Sequence, residues 1–220
     1  MSQKHLTKKE LNEDPFFEEV AHILDFFRKH NTAVITVIAI IILATIAIIA
    51  GSAQARNQNE KAAGLYGIAM DNYNKGQLIE AEDNFMLLAE QYKRTDWGKR
   101  AYYYLALVSQ KQDLDELQAL EYLEKYVSSR LKDNAMNSAA YQMIANHYYR
   151  DGELSNAADN YLLAAKQSLS KKDKLRLGLQ AANLYIENDD RTSLDIVINY
   201  LSKLDLSRED EVRVKALTAM

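Results

Sequence analysis

The chain has 220 residues, with 27 lysines and arginines against 31 aspartates and glutamates, and it contains no cysteine. The lack of cysteine excludes disulfides, thiolate catalysis and cysteine-ligated metal or iron–sulfur sites. A net charge of −4 provides no strong positive field, which argues against a nucleic-acid surface. Few glycines, a single proline and abundant helix formers predict an all-α protein.

Residues 1–30 are predicted to form a cytoplasmic lead that contains an amphipathic helix over residues 15–30. Asp14 suits the N-cap and Pro15 the first helical position. Apolar residues recur at helical spacing at Phe16, Val20, Ile23, Leu24 and Phe27. We expect this face to lie at the membrane surface or to dock on a partner. It has no cationic face, so electrostatic attraction to anionic lipid is not expected to hold the helix.

Residues 31–55 carry no charge, and residues 33–50 are apolar apart from Thr36 and Thr45, whose hydroxyls can bond to a preceding carbonyl. A helix of this length measures about 37 Å, which is enough to cross a bilayer. The segment therefore predicts one transmembrane anchor. A signal peptide cleaved after Ala55 is the alternative, because Ala53-Gln54-Ala55 has the form of a cleavage site. The apolar stretch is longer than a signal core, which favours the anchor.

Orientation of the predicted anchor follows from the charges beside it. Arg28 and Lys29 lie directly before the apolar segment, which places the N-terminus in the cytoplasm and the larger domain across the membrane.

Four related segments follow, beginning at residues 64, 100, 139 and 177. Alanines Ala69, Ala106, Ala145 and Ala182 occupy equivalent places at separations of 37, 39 and 37 residues. A second set, Ala81, Ala119 and Ala157, repeats every 38 residues. One alanine on each of two helices allows close antiparallel packing, so residues 56–206 predict about four stacked helix pairs.

Turns between the paired helices are marked by Gly76 and Gly152, where a left-handed residue can end the first helix. Asp113 and Asp189 take the corresponding places in the other two repeats.

The repeats resemble tetratricopeptide repeats, which form an α-solenoid. The third repeat carries the most matching residues: Tyr141, Ile144, Ala145, Tyr148, Gly152, Ala157, Tyr161 and Ala164. The first repeat has Asn72 where the family has tyrosine, and the period exceeds the ~34 residues of the family. Longer turns between repeats and a less regular superhelix are expected.

Residues 207–220 are expected to form a capping helix, because Ser207 and Asp210 have capping-box spacing. This helix has no clear stop signal, which leaves continuation beyond Met220 open.

A larger resemblance covers roughly residues 16–205. A lead ending in Phe26-Phe27-Arg28-Lys29-His30-Asn31, one span and degenerate repeats together resemble the ancillary Sec-translocon subunit family of bacterial inner membranes. The resemblance implies an exported, periplasmic repeat domain. It also implies translocon subunits, a membrane-anchored chaperone or a translocating polypeptide as partners. No catalytic residue is implied.

No pattern of an enzyme, metal or cofactor site is present in the sequence. The histidines His5, His22, His30 and His147 are far apart, and His147 is expected to be solvated or hydrogen-bonded. Acidic pairs such as Glu121 and Glu124, or Asp189 and Asp190, read as solvated helix and turn residues. We therefore predict a protein that is not an enzyme and has no cofactor or small-molecule substrate.

Most tyrosines stand at positions that pack helix against helix, as Tyr104, Tyr141, Tyr148 and Tyr185 do. A smaller set on the inner face of the first helices predicts a groove for an extended or helical peptide. Its members are Tyr66, Tyr73, Arg100, Tyr103, Lys111, Gln142, Asn146, Tyr149 and Arg150.

The sequence thus predicts a membrane-anchored protein-interaction scaffold at the Sec translocon. The alternative is an envelope assembly or division scaffold with no role in secretion.

Overall fold

The computed structural model describes residues 15–112 and 116–219. Within these ranges the chain forms ten α-helices and no strand, which confirms the all-α class. The helices are α1 Pro15–Lys29, α2 Asn31–Asn74, α3 Leu78–Gln91, α4 Asp96–Lys111, α5 Glu116–Ser128, α6 Asn134–Arg150, α7 Leu154–Gln167, α8 Lys171–Glu187, α9 Arg191–Ser202 and α10 Arg208–Ala216. A 3₁₀ turn, Leu217–Ala219, follows α10. The chain divides into two compact units, Met1–Asn57 and Gln58–Met220.

The first unit contains α1 and the apolar part of α2. The helix predicted over residues 15–30 is present, with Pro15 at its start, whereas its predicted N-cap Asp14 lies outside the described residues. In α2, an 18-residue window has a mean hydropathy of 3.1, and this helix is long and apolar enough to cross a membrane. As expected, the hydroxyls of Thr36 and Thr45 each donate to the carbonyl four residues back, at 2.8 Å.

Helix α2 continues without interruption to Asn74, past the predicted end of the anchor at residue 55. The sequence that follows is polar but still rich in helix formers, so nothing in it ends the helix. The predicted boundary between anchor and repeat domain therefore lies inside a helix. The compact units nevertheless divide at residues 57 and 58, close to that prediction.

The second unit is built from consecutive helices in contact, from α3 through α10. The alanines predicted to lie between paired helices are buried: each is at most 4% exposed. Ala69 and Ala81 share one apolar cluster, Ala106 and Ala119 a second, and Ala145, Ala157 and Ala182 a third. Small side chains at these places allow the backbones to approach, while larger residues fill the surrounding space.

Tyrosines connect these clusters, as the sequence predicted for several of them. Tyr102 and Tyr122 pack against both the first and the second cluster, and Tyr141 and Tyr148 against both the second and the third. Tyr185 is buried within the third.

Three turns between helices share one conformation. Gly76, Gly152 and Asp189 have φ values of 76°, 80° and 54°, as predicted, while Asp113 lies outside the described residues. In each turn, the left-handed residue donates to the carbonyl three residues back and the next residue to the carbonyl five residues back. The distances are 3.2 and 2.9 Å at Gly76, 3.2 and 2.9 Å at Gly152, and 3.1 and 2.9 Å at Asp189. This is the Schellman arrangement, which pairs the last carbonyls of each helix.

The predicted C-terminal helix is confirmed. Ser207 caps α10, its hydroxyl accepting from the Asp210 N–H at 3.2 Å. Val214 and Leu217 bury against the cluster that contains Leu201, so this last segment covers the apolar face of α9.

Candidate functional site

The nine residues predicted for a groove lie on three helices of the second unit. Tyr66 and Tyr73 belong to α2, and Arg100, Tyr103 and Lys111 to α4. Gln142, Asn146, Tyr149 and Arg150 belong to α6. The structure separates them into an aromatic cluster and a cleft, and it pairs Gln142 with α8.

The aromatic cluster consists of Tyr66, Tyr73, Phe85, Trp97, Tyr103 and Tyr104. Tyr104 is central: its ring centroid lies 5.7 Å from Tyr66 and 5.9 Å from Tyr73. It also lies 5.2 Å from Phe85 in a stacked arrangement and 5.5 Å from Tyr103. These separations are favourable for aromatic pairs. Three tyrosines predicted to face a partner, Tyr66, Tyr73 and Tyr103, therefore use part of their surface to pack against Tyr104.

Two predicted cations border this cluster. The Lys111 ammonium lies 3.9 Å from the centre of the Tyr73 ring, within cation–π range. The Arg100 guanidinium lies 5.2 Å from the Trp97 ring and donates to the Asp133 carboxylate at 3.1 Å. Arg100 therefore has an intramolecular anionic partner, whereas Lys111 is exposed.

Burial controls the ionisation of the cluster tyrosines. Burial, reinforced by the hydroxyl of Tyr104, raises the pKa of Tyr66 above its usual range, and burial also raises the pKa of Tyr103. Both hydroxyls therefore stay protonated at neutral pH and can donate hydrogen bonds.

A cleft of about 600 Å³ between α5 and α6 brings together three of the predicted residues, Asn146, Tyr149 and Arg150. Its floor is apolar and consists of Ala119, Leu120, Leu123 and Met143. Its rim is polar and consists of Gln110, Glu116, Asn146, His147, Tyr149 and Arg150. We call this feature the α5–α6 cleft. Tyr149 is about half exposed at its edge, at 52%.

Charges at the rim are paired across the two helices. The Arg150 guanidinium donates to Glu116 at 2.6 Å, joining the end of α6 to the start of α5. His147, expected to be solvated or hydrogen-bonded, is buried, with its Nε2 atom 3.3 Å from Asp151 and its Nδ1 atom 4.0 Å from Glu116. The rim is therefore held in place by contacts within the protein.

Two predicted amide side chains already have partners. The Arg176 guanidinium donates to the side-chain carbonyl of Gln142 at 3.1 Å, and the Tyr161 hydroxyl donates to Asn146. Two of the acidic residues that the sequence predicted to be solvated have partners within the protein. Glu121 pairs with Lys125, and Asp190 caps α9.

A second cleft, of about 740 Å³, was missed from the sequence. It lies between α8 and the segment leading into α10, and its lining includes Lys172, Arg176, Leu179, Asn183 and Arg213. Leu179 and Asn183 lie 37 residues beyond Gln142 and Asn146. Applying the 37-residue interval to the fourth repeat would therefore have identified Leu179 and Asn183 from the sequence.

Among residues 15–112 and 116–219, no three histidine, aspartate or glutamate side chains are grouped so that they could hold a metal ion.

Comparison with protein-family models and with curated proteins finds no match for this chain.

Proposed function

We propose that the chain is a single-pass, membrane-anchored scaffold whose helical domain binds segments of other proteins. The apolar window of α2 supports the anchor, since none of it is buried against the rest of the chain. Arg28 and Lys29 before it favour a cytoplasmic N-terminus and a periplasmic domain beyond it. In this proposal the anchor stays uncleaved at Ala55.

The second unit is proposed to be a tetratricopeptide-like α-solenoid of about four helix pairs, closed by α10. Buried alanines at the repeat interval support it, and so do three turns of one conformation. A solenoid presents a rigid surface whose residues come from successive repeats.

The observation that carries the binding role is the α5–α6 cleft. Leu120, Leu123 and Met143 offer an apolar floor wide enough for a buried side chain of a peptide. Tyr149 and the amides of Gln110 and Asn146 provide polar contacts around it. An apolar centre with a polar rim is the usual anatomy of a protein-interaction site.

The specific role proposed is that of an accessory subunit at the Sec translocon. The arrangement of lead, span and repeats supports it by resemblance. Partners would be translocon subunits, a membrane-anchored chaperone or a translocating polypeptide. The alternative is a scaffold for envelope assembly or division.

A photocrosslinking amino acid placed at Tyr149 in intact cells tests both the site and the role. We expect it to capture translocation components or exported polypeptides, identified by mass spectrometry after purification in mild detergent. The same amino acid at the exposed Asn199 of α9, outside the cleft, is the matched control. Capture of only division or outer-membrane assembly proteins would favour the alternative. Equal capture from both positions would contradict the cleft as the working surface.

A further inference from the structure

The junction between two helices of the first unit carries a separate cleft. The helix α1 ends at Lys29, and α2 begins at Asn31. The His30 N–H donates to the Phe26 carbonyl at 3.0 Å, and the His30 carbonyl accepts from Val34 at 2.9 Å. The cleft at this junction has a volume of about 570 Å³. Its lining includes Phe26, Phe27, His30, Val34, Val37 and Ile38.

The cleft is open and almost wholly apolar. Phe26 and Phe27 are 59% and 48% exposed, and His30 is the one lining residue with a polar side chain. The opposite wall, from Val34 to Ile38, belongs to the first turns of α2, where the apolar window proposed to cross the membrane begins. Since the cleft continues directly into that apolar stretch, its lining favours an acyl chain of the bilayer as the occupant.

Two basic side chains and one acidic side chain, Asp25, lie in the last turns of α1 near the cleft. Arg28 and Lys29 occupy the last turn of α1, and both are exposed. Neither makes an ion pair with another residue in the described part of the chain. Arginine and lysine are the side chains that hold phosphate oxygens, and basic pockets on the cytoplasmic side of membrane helices bind anionic headgroups.

We propose that this junction binds one phospholipid with an anionic headgroup. An acyl chain lies against Phe27, Val34 and Ile38, and the headgroup contacts Arg28 and Lys29. From the sequence, electrostatic attraction to anionic lipid is not expected to hold α1, because the helix has no cationic face along its length. A single headgroup needs only the two cations at the end of the helix. This inference rests on the membrane anchor of the proposed function.

Native mass spectrometry of the full chain in a mild non-ionic detergent tests the site. The probes are phosphatidylglycerol and phosphatidylcholine with identical acyl chains. We expect one phosphatidylglycerol per chain to be retained in preference to phosphatidylcholine. The double substitution Arg28→Gln/Lys29→Gln should weaken that retention by roughly tenfold or more. Phe26→Ala/Phe27→Ala should reduce retention of both lipids.

The matched control is Arg56→Gln/Lys61→Gln, which removes two charges beyond the other end of the apolar window and should leave the preference unchanged. Equal retention of both lipids would overturn the lipid site, as would an equal loss in the control variant. A retained dimer that carries no lipid and is lost in the phenylalanine variant would assign the cleft to a second copy instead.

Alkaline extraction of membranes separates the two proposals: a chain that is released contradicts the anchor. A chain that stays in the membrane but shows no preference between the two lipids contradicts the lipid site alone.

Discussion

The Arg100 guanidinium lies 3.1 Å from the Asp133 carboxylate, and the two residues are 33 positions apart. Asp133 is also the N-cap of α6, since its other carboxylate oxygen accepts from the Met136 N–H at 3.1 Å. One aspartate therefore begins a helix and connects it to α4. Arg100 in turn lies against Trp97, so the pair also connects α6 to the aromatic cluster.

Removing this aspartate should destabilise the second unit more than removing its cationic partner. Asp133→Ala loses the helix cap as well as the ion pair and should lower the free energy of unfolding by about 1–2 kcal/mol. Arg100→Met loses a partly exposed ion pair and the contact with the Trp97 ring but keeps the helix cap, and it should cost about 1 kcal/mol. Denaturant unfolding of the full chain in detergent, followed by circular dichroism, measures both. Lys132→Met, at an exposed neighbour, is the control; equal effects of Asp133→Ala and Arg100→Met would contradict the cap.

Two glycine substitutions should have opposite effects. A Cβ atom at Gly98 would lie 2.2 Å from the backbone oxygen of Tyr92, so Gly98→Ala forces α4 away from the end of α3. We expect a loss of about 3 kcal/mol or more, which thermal unfolding would detect. Gly64 lies within α2, and a Cβ atom added there would have no other atom within 4 Å. Gly64→Ala should therefore be neutral or should stabilise the fold by up to about 1 kcal/mol. Similar behaviour of the two variants would refute the close approach.

The left-handed turn residues should differ in their tolerance of a side chain. Gly152 has a φ of 80°, so Gly152→Ala should cost about 1–2 kcal/mol. Asp189 has a φ of 54° and already bears that strain, so Asp189→Gly should be neutral or mildly stabilising. Melting temperatures of the two variants check this. A stabilising Gly152→Ala would contradict the turn conformation.

Alkaline pH should destabilise the second unit through its buried tyrosines. Burial raises the folded-state pKa of Tyr66 and Tyr103, while the unfolded chain keeps the usual tyrosine pKa near 10. Their contribution is therefore fully present below about pH 10 and is lost as the pH rises toward the folded-state value. Tyr66→Phe should reduce this loss, measured by denaturant unfolding at pH 9 and above. Tyr149→Phe, at an exposed side chain, is the control and should behave as the parent does.

Much of the local structure was predictable because it depends on neighbours along the chain. The alanine interval identified the buried contacts between helices, since a period of 37 to 39 residues survives even where other repeat residues have diverged. Gly76, Gly152 and Asp189 were identified as turn residues because few residues accept a left-handed conformation. The cap at Ser207 was readable from its spacing to Asp210.

The contacts made by the predicted groove residues could not be predicted, because they join residues far apart in sequence. Tyr66 and Trp97 pack at 4.8 Å, and Arg176 reaches Gln142 from the next repeat. Such contacts depend on side-chain direction and on the spacing between neighbouring helices, and neither quantity is encoded in a repeat alignment. The α5–α6 cleft could not be predicted for the same reason, since its lining comes from both helices.

The sequence by itself determined the all-helical class, the apolar segment and its length, the positions of the turns and the alanines between helices. Each of these follows from periodicity, composition or a single backbone requirement. Only the tertiary structure decided that the predicted tyrosines pack around Tyr104, that the charges at Arg100 and Arg150 are paired, and that a cleft lies between α5 and α6. Those outcomes depend on which side chains compete for the same space and the same partners, and that competition exists only once the helices are packed together.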